Sequence, residues 1–210
     1  SYDLAAGLTV GLGLANTTGN ATNGSSGGNG TSKTWLASVS YTLPDSLGTY
    51  LGGSELYYGV VSGPTDSSTG GNGQDTEYHY ASISTPLPIA NLSHKLVWDH
   101  VEYGHATQAD SNVFGYHLSY ALNADTTINA RAEIGNINAD LDGDNDMDGT
   151  FENADSLQSL TLGVNHKIWE NVTSRIEYRH DKHDKDSVAT GGRDLGTSQD
   201  TIALNLIYTF

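Results

Sequence analysis

The chain has no cysteine, one methionine, three phenylalanines and four prolines among its 210 residues. Without cysteine, neither a disulfide framework nor a thiolate metal site can form. Basic residues are also scarce: nine Lys and Arg stand against 25 Asp and Glu, a formal charge of −16. A chain so acidic repels polyanions, which excludes nucleic acid as a partner. Only 36% of residues are hydrophobic, mean hydropathy is −0.40, and no apolar run approaches the roughly 18 residues that a membrane-spanning helix needs. Strands escape that test, because in a transmembrane β-barrel only alternate residues face lipid. No secretory leader is visible either. Ser1-Tyr-Asp-Leu4 reads as a mature start, so export is an expectation drawn from the rest of the chain.

What is abundant suits strands and turns: 25 glycines and 12 tyrosines,. The last stretch, Gln199 to Phe210, sets the pattern. Ile202, Leu204, Leu206, Tyr208 and Phe210 share one side of an extended strand, and Thr201, Ala203, Asn205 and Thr209 share the other, with Ile207 the exception,. This ending resembles the terminal strand of bacterial outer-membrane barrels, and that resemblance implies recognition by the barrel assembly machinery through Phe210.

The same period of two recurs upstream. Leu4 to Leu14 alternates with Ala, Gly and Thr, and is expected to be one strand with a nearly bare second face,. Further strands are expected around Trp35–Leu43, Tyr50–Ser62, Thr76–Thr85, Leu92–Ala106, Asn112–Leu122, Ile128–Ile134, Leu160–Ile168 and Val172–Tyr178,. Between them, polar segments such as Asn16–Ser32 and Asp140–Asp155 cannot bury a core and read as long loops, while Asn123–Asp125 and Trp169–Asn171 read as tight turns,. Short and long connections alternate, so all long loops fall at one end of about ten strands. Aromatics gather near both strand ends: Tyr41, Tyr50, Tyr120, Tyr208 and Phe210 at the turn end, Tyr58, Tyr78, Phe114 and Tyr178 at the loop end,. Both termini are expected on the short-turn side. The expected fold is all-β: a transmembrane up-and-down antiparallel β-barrel, one domain over 1–210, with long extracellular loops and short periplasmic turns.

Three late segments carry a family resemblance: Ser159-Leu-Thr-Leu-Gly-Val-Asn-His-Lys-Ile168, Arg175-Ile-Glu-Tyr-Arg-His-Asp-Lys-His-Asp-Lys-Asp186 and Gln199-Asp-Thr-Ile202 onward. They resemble the C-terminal hairpins of the β-barrel porin family known as BBP2, over roughly the last quarter of the chain. The resemblance implies an outer-membrane barrel, and suggests a pore.

If the apolar faces meet lipid, the opposite faces line a lumen with Glu55, Glu77, His79, Lys95, Asp99, Arg131, Glu133, Lys167, Arg175, Glu177 and Arg179,. Mixed signs there predict salt bridges. Two functions remain open. One is a porin that lets small solutes diffuse passively. The other is a structural or surface-interaction barrel with a lumen plugged by side chains and acidic loops that contact lipopolysaccharide, another barrel or another protein. Outer-membrane lipid and a homo-oligomer are expected as surroundings in either case.

The acidic loop carries the sharpest local motif. Asp144, Asp146 and Asp148 occupy the first, third and fifth positions of a calcium-loop spacing, Gly149 the sixth, Thr150 and Glu152 the seventh and ninth, and Asp155 the twelfth,. Hard oxygen donors so spaced wrap one Ca²⁺ while glycine permits the bend. The alternative is a solvated acidic loop. His180 and His183 beside Asp181 and Asp184 fit a transition metal only weakly, and His100 beside Asp99 lacks a nucleophile, so enzymatic activity is not expected,.

Overall fold

A computed structural model describes residues 1–15, 33–64, 75–103, 109–139, 155–183, 188–189, 193–194 and 198–209. The strands are β1 (Tyr2–Ala5), β2 (Leu8–Ala15), β3 (Thr34–Thr42), β4 (Glu55–Pro64), β5 (Asp75–Ser84), β6 (Leu92–Tyr103), β7 (Ala109–Ala121), β8 (Thr126–Ala139), β9 (Asp155–Trp169), β10 (Val172–His183), β11 (Val188–Ala189), β12 (Arg193–Asp194) and β13 (Ser198–Tyr208). Eleven of them form one sheet in the order β1 to β10 and then β13, while β11 and β12 pair only with each other. Every ladder in the large sheet is antiparallel and joins strands that follow one another along it. This is an up-and-down meander with β1 and β13 at its edges. Among the described residues there is no α-helix; a single 3₁₀ turn at Asp45–Leu47 sits in the β3–β4 connection.

The register sorts the side chains into two faces. Val10, Val39, Tyr58, Ala81, Trp98, Phe114 and Ile134 stand opposite one another in succession across β2 to β8. Tyr120, Ile128, Val164, Ile176 and Leu204 continue the apolar face across β7 to β13. These side chains meet no core: Leu12 is 85% exposed, Ile202 78% and Leu204 70%. The other face is polar and sheltered. Thr34, Thr76, Ser159 and Thr161 are buried on it, and Val97 is the one buried hydrophobic among the described residues. A soluble sheet packs its apolar face and wets its polar one; here the arrangement is reversed. We call the polar face the inner one.

Turn chemistry explains where the meander reverses. Asn123 Oδ1 accepts from the Asp125 backbone N–H at 2.9 Å, closing the β7–β8 turn,. Glu170 and Asn171 alone join β9 to β10. Most connections at the opposite end are longer, and most of their residues lie outside the described ones; the alternation is not strict, because β4 starts at Glu55 rather than Tyr50 and leaves a twelve-residue connection, 43–54, at the turn end.

Leu4 to Leu14 is not one strand. Gly7 takes φ 79°, and the chain reverses there so that Ala5 pairs with Leu8, and Asp3 with Thr9. A two-residue turn leaves the alternation of residue types intact, so the sequence pattern runs through it unbroken. The Thr9 hydroxyl donates to Asp3 Oδ1 at 2.6 Å and clips the hairpin. The sheet therefore has eleven strands rather than ten, and Tyr2 lies level with Val10 instead of at the turn end. The other end of the chain does lie at the short turns, where the Thr209 backbone N–H donates to the Asn171 carbonyl at 3.0 Å.

Candidate functional site

The inner face of β5 to β10 gathers the charge. Lys95 stands opposite His117, His117 opposite Arg131, Arg131 opposite Thr161, and Thr161 opposite Arg179, so one hydrogen-bonded row carries three cations and a histidine. Carboxylates occupy the neighbouring rows on the same strands. Because side chains two residues apart share a face, each arginine meets the carboxylate two positions on. Arg131 Nε lies 3.3 Å from Glu133 Oε2, Arg175 Nη2 lies 2.6 Å from Glu177 Oε2, and Arg179 Nε lies 2.7 Å from Asp181 Oδ2. Such partly exposed pairs contribute roughly 0.2–1 kcal/mol each, so they place charge more than they hold the fold together.

The remaining inner face is built of small and aromatic residues. Gly11 and Gly13 on β2 face Ser38 and Leu36 on β3, while Tyr57 and Tyr80 meet edge to face with ring centroids 5.7 Å apart,. Two cavities open on the face. One of about 970 Å³ spans β2 to β6 and includes Glu55, Tyr57, Tyr80, Lys95 and Asp99. The second, about 490 Å³, spans β5 to β10 and includes Lys95, His117, Arg131, Thr161, Arg175 and Glu177.

The structure places nine of the eleven expected lumen residues on this face: Glu55, Lys95, Asp99, Arg131, Glu133, Lys167, Arg175, Glu177 and Arg179. Lys167 sits apart, at the turn end opposite Thr173. Glu77 and His79 are on the other face. Their strand is phased by Ile83, which pairs with Leu56 and Leu96, and steps of two from Ile83 reach Ala81, His79 and Glu77. Tyr78, expected in the outer aromatic girdle, consequently points inward together with Tyr80. Tyrosine reads as apolar in a pattern but tolerates either face, whereas Ile83 does not, and Ile83 was the usable signal.

On the outer face Glu77 accepts from Ser62 Oγ at 3.1 Å and lies 3.5 Å from His79 Nε2. The Tyr58 hydroxyl is 2.8 Å from His79 Nδ1, and His79, His100 and Trp98 stack. These groups edge the apolar band at the loop end, where Asp200 accepts from the Tyr178 hydroxyl at 2.7 Å. Residues absent from the sequence-derived set but present on the inner face are His117, Asp181, Tyr57 and Tyr80; their sequence signal is alternation with Leu118, His180, Tyr58 and Ala81 and, for Asp181, its place two residues beyond Arg179.

Of the expected calcium ligands, Asp144, Asp146, Asp148, Thr150 and Glu152 lie outside the described residues, as does Phe210. Asp155 opens β9 opposite Ile137. No group of three or more His, Asp or Glu fit to hold a metal occurs among the described residues.

The sequence profile of the family described as "Putative beta-barrel porin-2, OmpL-like" (BBP2) matches residues 1–210. The chain belongs to the BBP2 family. The likeness read in the last three segments thus extends over the whole chain. A comparison with curated proteins gave no match, so the assignment to BBP2 is a family-level one.

Proposed function

We propose that this BBP2 chain closes into an outer-membrane β-barrel whose inner face lines a narrow passage for the passive diffusion of small solutes. One observation carries the reading: the apolar face is the exposed one and the ionic face the sheltered one, the partition a lipid-embedded barrel needs. Its dimensions agree. From Leu160 to Ile168 the apolar side of β9 runs roughly 27 Å along the strand, or roughly 20 Å across a bilayer at the usual tilt, near the ~25 Å apolar band of such barrels. β13 runs antiparallel to β2, so pairing those two would close ten strands with every neighbour antiparallel; β1, which covers the edge of β2 from Leu8 to Val10, has to give way there or limit the seam to the rest of β2. A bore of that size lies between the side-chain-filled barrels of about eight strands and the open channels of about 16.

The cavities favour a passage. The three arginine–carboxylate pairs and the inward tyrosines favour the rival, a blocked structural barrel whose outer rim contacts lipopolysaccharide. Planar-bilayer recording separates them. Refolded protein should give ohmic single-channel steps, whereas a silent bilayer, with protein shown folded by its shifted gel mobility before boiling, would refute the pore.

A further inference from the structure

The smaller cavity runs against the charge of the whole chain. The protein carries −16, yet this cavity is lined by Lys95, Arg131 and Arg175 with a single carboxylate, Glu177. Lys95 and Arg131 flank His117 in one row, and the two arginines are balanced by their carboxylate partners at 3.3 and 2.6 Å. Lys95 has no such relief: among the described residues no carboxylate lies within ion-pair reach of its ammonium group. A second, independent feature lies on the cavity wall. Thr161 is only 6% exposed, and its Oγ1 makes no hydrogen bond; neither does Arg131 Nε, whose contact with Glu133 is not aligned as one. Buried polar atoms ordinarily find partners. Here the missing partners would sit beside surplus positive charge.

We propose that this cavity is a binding subsite for small oxyanions, solutes carrying a carboxylate or phosphate group. Lys95 supplies the unpaired positive charge, Arg131 the planar donors suited to an oxyanion, and Thr161 a hydroxyl donor at the wall. Lys95 and Ser84 also line the larger cavity, so an anion held here sits where the two cavities adjoin. Transport through the site rests on the porin reading; binding at it does not.

The test is isothermal calorimetry of inorganic phosphate into the full chain refolded in detergent, beside Lys95→Met, Lys95→Arg and Lys167→Met. Wild type should bind phosphate. Lys95→Met should weaken binding at least about tenfold, the scale of one charge-assisted hydrogen bond; Lys95→Arg should retain it, and Lys167→Met, outside the cavity, should leave it unchanged. In a bilayer under a KCl gradient, Lys95→Met should move the reversal potential toward cation selectivity. No phosphate binding by wild type, or equal binding by Lys95→Met, overturns the subsite even if the channel conducts. A silent bilayer with Lys95-dependent phosphate binding overturns the pore and leaves the subsite standing.

Discussion

Leu204 offers the most direct probe of which face meets lipid. It lies near the middle of β13, opposite Ile176, and is 70% exposed with Ile202 and Leu206 on the same face. If that face is wet, Leu204→Arg is a surface change worth no more than about 0.5 kcal/mol in either direction. If it lies in lipid, an arginine near the bilayer midplane costs roughly 2–4 kcal/mol. The adjacent Asn205 points to the inner face, opposite Arg175, and Asn205→Arg serves as the control. There a new cation beside an arginine should cost less than about 1 kcal/mol, because like-charged cross-strand neighbours act on that scale. The assay is equilibrium denaturation of protein refolded into phosphatidylcholine vesicles, read by tryptophan fluorescence. Leu204→Arg should lose roughly 2–4 kcal/mol relative to wild type, well beyond Asn205→Arg. Equal losses for the two variants, or a neutral Leu204→Arg, would refute the lipid-facing assignment.

Gly7→Ala should destabilise by more than the roughly 1–2 kcal/mol of a left-handed backbone, because its Cβ would stand 2.5 Å from the Thr42 carbonyl oxygen. Gly48→Ala, at φ 87° and ψ −178° with nothing within 4 Å, should cost only the backbone strain, roughly 1–3 kcal/mol in a region all but confined to glycine, and urea midpoints will measure both losses. For the proposed calcium loop, about 10 mM Ca²⁺ should stabilise by roughly 1.4–2.7 kcal/mol if the site has the ~0.1–1 mM affinity of extracellular calcium modules. Thermal melts should show that rise and Asp148→Asn should remove it; a flat melting temperature for wild type counts against the loop.

Much of the fold could be read from residue order because a strand with one apolar face writes a period of two into the chain. Phe114, Tyr116, Leu118 and Tyr120 on β7, and Ile202, Leu204 and Leu206 on β13, fall where alternation puts them. β5 failed for a physical reason. Tyr78, Tyr80, Glu77 and His79 all have polar atoms and sizeable nonpolar surface, so either phase looks acceptable until Ile83 is paired with Leu56 and Leu96. The β1–β2 hairpin is hidden in the sequence because its turn at Gly7 leaves the alternation of residue types unbroken. The inner residue His117 stood on the right parity, but its alignment with Lys95 and Arg131 is a relation between strands and leaves no local trace; Asp181, two residues beyond Arg179 on the same strand, did leave one.

The sequence by itself determined the β class, most of the places where the chain turns, the end that carries most of the long connections and, for most strands, which side is greasy. These follow from local properties: side-chain alternation, glycine and asparagine at reversals, and polar runs too poor in apolar surface to pack. The tertiary structure decided the phase of β5, the break at Gly7 and the gathering of Lys95, His117, Arg131 and Arg179 in one row. Those depend on register, which is fixed by hydrogen bonds between strands far apart in the chain, and a shift of one residue would turn every side chain to the opposite face.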